Sequence, residues 1–453
     1  MNQLLLTFYG DDFTGSTDVM ESLELGGLPT VLFLEPPKPE QLSGRFAHVR
    51  AVGVAGVSRT MTPAEMDAEL IPKFKAINEL GAPFFHYKIC STFDSSPTIG
   101  SIGHAIDIGA EIFDPPVVPL VVGAPALRRY VVFGNLFARV GDVTYRLDRH
   151  PTMSKHPITP MNESDLRLHL GRQTARSTGL IDVWHMERPA DEIDARFRKL
   201  VDDGAQIVLF DTIDQSHLGH IGRIIWELRG DKPVFIVGSS GLENALTGHL
   251  QQIGVVEKPQ PLKSPGPVDQ LVVVSGSAAP GTAEQIDYAL ERGFTGIRLN
   301  SPDLVNPETA DAERENAIQQ MLAVLGNGQS VLLYSAHGPE DPLIAETKAR
   351  MERLGLDLHL LGNQLGSQQG MILRELLERT DLRRACVAGG DTCGYASKQL
   401  GVYALETIVP IAPGAPLCRV SSHQPRFDGL ELSLKGGQNG AADYFVKIRE
   451  GGA

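Results

Sequence analysis

The chain has 453 residues, and single hydrophobic cores seldom keep growing past roughly 250–300 residues, so two domains are expected. Hydrophobic residues make up 42% and charged residues 21%, an ordinary globular balance that excludes disorder as the theme. The formal net charge of −14, with no lysine- or arginine-rich run to offset it, repels nucleic-acid phosphates and anionic lipid and so argues against nucleic-acid or membrane partners.

The stretch Leu4–Asp18 opens the chain with an apolar run, Leu4–Phe8, that stops at Gly10, Asp11 and Asp12. A helix is predicted to follow from near Thr17, capped by Thr14 or Ser16. A strand that feeds a helix through glycine and acidic residues is how an open α/β sheet presents chemistry at the carboxyl ends of its strands. Asp11 and Asp12 suit the ordering of a metal or acceptance of a hydroxyl proton; equally, Asp12 suits a plain helix cap. Further apolar runs at Thr30–Leu34, Val49–Val54, Pro83–Lys88, Pro119–Val122, Ile181–Trp184, Gln206–Phe210 and Val234–Val237 read as strands. Stretches between them, such as Pro63–Leu80 and Ala190–Asp203, carry helical spacing. This alternation predicts an α/β fold with a mostly parallel sheet covered by helices. Segment Arg128–Pro160 is the least regular part and reads as a long loop of the kind that carries function.

Residues 256–269, VEKPQPLKSPGPVD, lose helix and ladder capacity to proline and glycine and mark a linker between 1–255 and 270–453. The pattern then restarts, with strands at Gln270–Val274, Gly296–Leu299, Ser330–Tyr334, Arg384–Ala388, Thr407–Ile411 and Leu430–Lys435. Helices are predicted over Thr282–Arg292, Asp311–Leu325, Pro342–Leu354 and Gly366–Thr380. The expected architecture is thus two α/β domains with an interdomain cleft. Cys90, Cys386, Cys393 and Cys418 show no C-x-x-C pair and read as reduced thiols. No basic leader precedes the first strand and no apolar run approaches the ~20 residues of a membrane helix, so a cytoplasmic protein is expected.

Three glycine turns in the second half each follow a strand-like run: Ser275-Gly276-Ser277 through Thr282, Gly389-Gly390-Asp391-Thr392, and Lys435-Gly436-Gly437-Gln438-Asn439-Gly440. Glycine lets backbone approach a ligand closely, and free N–H groups at a following helix start hold phosphate, so together the turns suggest a nucleotide pocket. Gly276–Thr282 has the G-x-x-x-x-G spacing of a P-loop without its lysine, and no G-x-G-x-x-G follows a strand, which leaves ATP held by a different loop set. In the first half Arg59, Lys88, Ser91, Thr92, Ser239 and Ser240 fall at strand ends. Arginine forks a carboxylate and serine matches sugar hydroxyls, so a hydroxylated small acid is the implied ligand. His156 sits in a proline-bracketed loop and suits either polarising a hydroxyl or plain exposure. His217 and His220 share a helix face without an accompanying carboxylate, which favours a surface helix over zinc. Cys90 reads as a buried wall residue, not a nucleophile.

Taken in order, the signatures Asp11-Asp12-Phe13-Thr14-Gly15-Ser16-Thr17-Asp18, Tyr87-Lys88-Ile89-Cys90-Ser91-Thr92-Phe93-Asp94-Ser95 and His156-Pro157-Ile158-Thr159-Pro160-Met161, with the three glycine turns, resemble the four-carbon acid sugar kinases over nearly the whole chain. The resemblance implies an N-terminal acid-sugar-binding domain, a C-terminal ATP-binding domain, and γ-phosphoryl transfer to a terminal hydroxyl. The form Cys90-Ser91-Thr92-Phe93-Asp94-Ser95 looks more like the branch acting on 3-oxo acids, 3-oxo-tetronate or 3-oxo-isoapionate, than like threonate and erythronate kinases. For such a kinase, Asp12 is expected to orient or deprotonate the acceptor, supported by Asp11, with Arg59 and Lys88 on the substrate's carboxylate or carbonyl. Ser91, Thr92, His156, Ser239 and Ser240 would read hydroxyls; Ser277, Gly389, Gly390, Asp391, Thr392, Gly436 and Gly437 would surround ATP, with Asp391 reaching Mg2+. Ala279 and Cys393 stand where relatives often have serine, so backbone contacts to phosphate are expected there. A homodimer is a reasonable expectation for such a metabolic enzyme. The rivals are a phosphatase using Asp11 or Asp12, disfavoured because the pair is adjacent where D-x-D-x-T is needed, and a non-catalytic nucleotide or sugar-acid sensor.

Overall fold

The computed structural model describes residues 3–156 and 158–452, and the chain divides into two compact units, Met1–Gln260 and Pro261–Ala453. In the first, strands β1 (Leu6–Gly10), β2 (Thr30–Phe33), β3 (Ala51–Ala55), β4 (Phe84–Lys88) and β5 (Val118–Val121) precede β6 (Arg129–Val132), β7 (Asn135–Val140) and β8 (Val143–Arg146). Then come β9 (Thr178–Ile181), β10 (Ile207–Phe210) and β11 (Val234–Gly238). All but β6–β8 form one parallel sheet in the order β2-β3-β1-β4-β11-β5-β10-β9. The chain leaves β1 for β2 and β3 on one side and returns at β4 on the other, so the order reverses beside β1. Such a reversal opens a crevice at the carboxyl ends of the strands.

The second unit repeats the device. Strands β12 (Val272–Ser275), β13 (Phe294–Arg298), β14 (Ser330–Tyr334), β15 (Arg384–Ala388), β16 (Val402–Ala412), β17 (Ala415–Ser422) and β18 (Glu431–Lys435) pair as β13-β14-β12-β15-β18-β17-β16. They run parallel as far as β18, and β17 lies antiparallel to both its neighbours. Here the reversal falls between β12 and β15. Among the described residues no helix is long and apolar enough to cross a membrane.

β1, β4 and β11 are buried along their whole length, which is why they read as nearly unbroken apolar runs. Aromatic rings fill one side of the first sheet: Phe85 stacks on Phe113 at 4.5 Å, Phe113 on Phe235 at 5.3 Å, and Phe74 meets Phe85 edge-on at 4.8 Å. Trp226 stacks on Phe84 at 5.9 Å beneath the Arg229 guanidinium, whereas Trp184 is 66% exposed.

Several sequence expectations are corrected. The first helix runs Phe13–Leu25, not from near Thr17; of the caps the sequence offers, Asp12 takes the place and Thr14 and Ser16 do not. The expected strand Ile181–Trp184 ends at Ile181, because Asp182 accepts from the His185 N–H and starts the short helix Val183–Met186. Within Arg128–Pro160, residues 129–146 are not loop: β6, β7 and β8 form a separate antiparallel sheet. Its Phe133-Gly134 turn, with φ of 50° and 76°, donates both N–H groups to the buried Asp211 carboxylate. The expected Thr407–Ile411 strand extends over Val402–Ala412 and pairs with β17, which had no alternation strong enough to announce it.

Gly109, in helix Ile102–Phe113, has no room for a side chain: a Cβ there would lie 2.1 Å from the Phe235 ring. Gly109→Ala should therefore destabilise the fold by about 1–3 kcal/mol despite alanine's better helix propensity. Gly248→Ala, in helix Gly241–Gln252 where a Cβ would meet nothing within 4 Å, should stabilise by about 0.5–1 kcal/mol. Urea unfolding of both variants checks this opposition of sign.

Candidate active site

Asp11 and Asp12 follow β1, Arg59 lies in the turn Ser58–Thr60 after β3, Lys88 ends β4, and Ser239 and Ser240 follow β11. These are the carboxyl ends of adjacent strands at the first reversal. Arg59 donates from Nε to Asp11 Oδ2 at 3.1 Å, from Nη2 to Asp11 Oδ1 at 2.6 Å, and from Nη1 to Asp12 Oδ2 at 2.7 Å. The backbone reinforces this: the Asp11 N–H donates to the Lys88 carbonyl at 2.9 Å, and the Asp11 carbonyl accepts from the Arg59 N–H at 3.0 Å. Asp12 Oδ1 accepts from the Gly15 N–H at 2.7 Å, so one carboxylate both caps the helix and pairs with Arg59 through different oxygens. Lys88 Nζ lies 3.3 Å from Asp18 Oδ2, which also accepts from the Ser240 hydroxyl. Under Lys88, the fully buried His86 and Glu243 pair at 2.9 Å, and His86 Nε2 donates to the Gly238 carbonyl at 3.0 Å.

Arg59 and Lys88 are therefore not bare cations awaiting an anion. Asp11, Asp12 and Asp18 pair with them directly, and Glu243 lies near enough to act on Lys88. Burial pushes the Asp11 carboxyl above its ordinary range, against the pull of the adjacent guanidinium. Burial opposes the charge on Arg59, yet Asp11 and Asp12 hold it well above its usual value. Lys88 is likewise disfavoured by burial and held above its usual value by Asp18, Glu243, Asp11 and Asp12.

After β4 the turn Cys90–Asp94 presents Ser91 and Thr92. Phe93 sits at φ 58°, a strained setting for a bulky residue, and its fully buried ring packs edge-on against His169 at 5.8 Å. Thr92 Oγ1 lies 2.9 Å from Cys90 Sγ, and Cys90 is half-buried, not the enclosed wall residue expected. Ser239 turns inward and donates to the Val122 carbonyl at 2.7 Å. His156 Nδ1 accepts from the Thr159 N–H at 3.1 Å, bracing its own loop; Pro157 lies outside the described residues. Among the described residues no hydrogen bond or ion pair joins Ser91, Thr92 or His156 to the Asp11–Arg59–Lys88 group. His217 is buried, not on a surface face, and its Nε2 meets Glu187 at 2.9 Å with Asp214 beside it. His217 Nδ1 accepts from the Ile213 N–H, so the proton on Nε2 faces Glu187 where a metal would need a lone pair.

The second unit's turns enclose a cavity of about 310 Å³. Ser277, Gly389, Gly390, Asp391, Thr392 and Gly437 line it, together with the apolar Leu343, Ile344, Leu361 and Leu365; Gly436 is not part of the lining. Helix Gly390–Gln399 begins at the cavity with no side-chain cap, and Gly389 takes φ 122°, so the first N–H groups of the helix are left for a ligand. A Cβ on Gly276 would lie 2.1 Å from Thr392 Oγ1, which fixes glycine at that close approach. Cys393 buries its thiol against the Val387 and Lys435 carbonyls, with its pKa pushed up to about 12 by burial. Lys435, at the end of β18, donates from Nζ to the hydroxyl of Thr282, the last residue of the P-loop-like spacing, at 3.1 Å.

The sugar-binding N-terminal domain family matches residues 6–246, and the nucleotide-binding C-terminal domain family matches residues 272–445. The chain is 46% identical to a Paraburkholderia graminis protein named 3-oxo-isoapionate kinase, over 99% of this chain and 94% of that one. The chain belongs to the four-carbon acid sugar kinase family. A Pseudomonas savastanoi pv. phaseolicola protein named 3-oxo-tetronate kinase is 31% identical, over 98% of this chain and 96% of that one. The Haemophilus influenzae protein HI1011 shares the fold at a TM-score of 0.74 and 23% identity, covering 99% and 100% of the two chains.

For a four-carbon acid sugar kinase chain, sequence reasoning missed Asp18, the His86–Glu243 pair and Lys435 as members of these charge clusters. Asp18 was within the quoted Asp11–Asp18 signature, one helical turn and a half beyond Asp12. Lys435 opened the third glycine turn, where attention fell on the glycines that follow it. Arg59→Met would leave the Asp11 carboxylate buried without its fork, at a cost of about 3–5 kcal/mol. A carboxyl whose folded pKa exceeds its unfolded one penalises the fold above that range and not below it. The deficit of R59M relative to wild type should thus shrink between about pH 8 and about pH 5, and adding D11N should recover most of it. Urea melts of the three chains at the two pH values check both statements.

Proposed function

We propose that the protein transfers the γ-phosphoryl group of ATP to the terminal hydroxyl of a short 3-oxo sugar acid, with 3-oxo-isoapionate ahead of 3-oxo-tetronate. That it is an ATP-dependent sugar-acid kinase follows from its family; the identity of 46% to a 3-oxo-isoapionate kinase, against 31% to a 3-oxo-tetronate kinase, carries the finer choice. The acceptor oxygen bonds to the γ-phosphorus, the bond from that phosphorus to the ADP oxygen breaks, and the hydroxyl proton passes to a carboxylate.

Asp12 is the carboxylate assigned that proton. Its side chain is 31% exposed while both its oxygens are oriented, by Gly15 and Arg59. Asp11 is 4% exposed and committed to Arg59, so it positions that residue. Arg59 and Lys88 each keep further N–H donors for the acid's carboxylate and carbonyl, with Ser91, Thr92, His156 and Ser240 toward its hydroxyls. Ser239 supports the turn through Val122. In the second unit the cavity suits ATP, its uncapped helix start toward the phosphates and its leucine and isoleucine wall toward the base.

Mg2+ takes few protein ligands and is held by one or two carboxylates together with substrate phosphates. Asp391 fits that requirement, an exposed carboxylate on the cavity wall with no hydrogen-bond or ion-pair partner among the described residues. When bound, the ion would neutralise charge on the β- and γ-phosphates. A cytoplasmic homodimer completes this reading.

Purified protein incubated with Mg-ATP and a panel of short sugar acids should release ADP fastest with 3-oxo-isoapionate. ADP release with threonate or erythronate alone would replace the substrate assignment. Asp12→Asn should lower kcat by roughly 10²–10⁴-fold with little change in KM for ATP, whereas near-wild-type turnover would remove Asp12 from the mechanism.

A further inference from the structure

Lys435 is fully buried, yet among the described residues no carboxylate pairs with it. Its Nζ donates to Thr282 Oγ1 at 3.1 Å, and around it stand the Cys386 and Cys393 thiols and the rings of Tyr444 and Phe445, 5.9 and 6.0 Å away. Burial raises both thiols, so neither supplies a counter-charge near neutral pH, and burial also pulls the lysine below its ordinary value. An ammonium without a partner is among the most costly groups to bury, and a fold retains one where something else offsets it.

The hydrogen bonds point to what that is. Thr282 Oγ1, which accepts from Lys435, donates to the Gly437 carbonyl at 2.9 Å and lies 3.0 Å from Ser277 Oγ. Ser277 and Gly437 both line the second unit's cavity, so the ammonium is separated from the cavity wall by one hydroxyl. A Cβ on Gly437 would lie 2.7 Å from Ser277 Oγ, so the two turns that Thr282 ties together are already in close contact. The fork also settles proton direction. With Thr282 accepting from Lys435 and donating to Gly437, Ser277 is left to donate.

We propose that Lys435 is the buried counter-charge for the nucleotide's phosphates and a positioning residue for their loop. It acts through Thr282, without touching ATP, and stands in for the lysine that the Gly276–Thr282 spacing lacks. The proposal rests on the nucleotide reading of this cavity. It separates two parts of nucleotide affinity: the base and ribose depend on the cavity wall, and the phosphates depend on Lys435.

Lys435→Met keeps the unbranched side chain as far as Cε and removes the ammonium. Calorimetric titration of the full chain with adenosine, and with ATP in the presence of magnesium, tests it. Wild type should bind ATP more tightly than adenosine. In K435M the ATP affinity should fall roughly 10- to 100-fold while adenosine affinity stays within about twofold. Without nucleotide, K435M should melt no lower than wild type, because an unpaired buried charge has gone; a merely structural lysine would lower the melting temperature and weaken both ligands together. An unchanged ATP-to-adenosine ratio in K435M overturns the proposal, as does one in K435Q should the methionine variant not fold. Failure of wild type to bind ATP at all would instead overturn the nucleotide reading.

Discussion

Arg59 is joined by two parallel hydrogen bonds to an Asp11 carboxylate almost out of reach of water, and the other charges of the first unit's site are arranged around that pair. Because the Asp11 backbone is tied to Lys88 and to Arg59 itself, the fork also locks the ends of β1, β3 and β4 to one another. Asp12 then has little freedom: one oxygen is fixed by the guanidinium and the other by the helix it caps. With Asp18 on Lys88, every cation of the group already has a carboxylate against it. Any anion entering this group would meet only the donors of Arg59 and Lys88 that the carboxylates do not use up.

The two units solve different electrostatic problems with one topological device. Each reverses strand order beside its first strand, and each collects its candidate site turns at the carboxyl ends there. In the first unit the helix after the leading strand is capped by a side chain, which withdraws its N–H groups from ligands. In the second, helix Gly390–Gln399 has no such cap and glycines bring its start to the cavity. The capped end suits side-chain chemistry, and the open end suits the binding of an anion by backbone.

The sequence made most of the sheet legible because its strands are buried on both faces and so appear as short apolar runs. Ser330–Tyr334 and Arg384–Ala388 needed no revision. What escaped was held by long-range pairing. β17 alternates weakly and is set by its two antiparallel neighbours, and β6–β8 depend on Asp211, far along the chain, receiving the N–H groups of the Phe133-Gly134 turn. The same limit applies to the site. Asp11, Asp12, Arg59, Lys88 and Ser240 were visible as polar residues at strand ends, but their mutual ion pairs were not. Asp18 and Glu243 lie on helices where charged residues are ordinarily solvated, whereas here they meet Lys88 and His86 of β4. His217 was misjudged because its carboxylate partners come from a preceding helix end and a cap.

Trp184 and Trp226 are the two tryptophans of the chain, and both belong to the first unit, one largely in solvent and the other stacked on Phe84. Intrinsic fluorescence excited at the indole band therefore watches half of the molecule, while the glycine-lined half is silent. A denaturation curve followed by that emission alone would pass as a single transition even if the silent half had melted earlier.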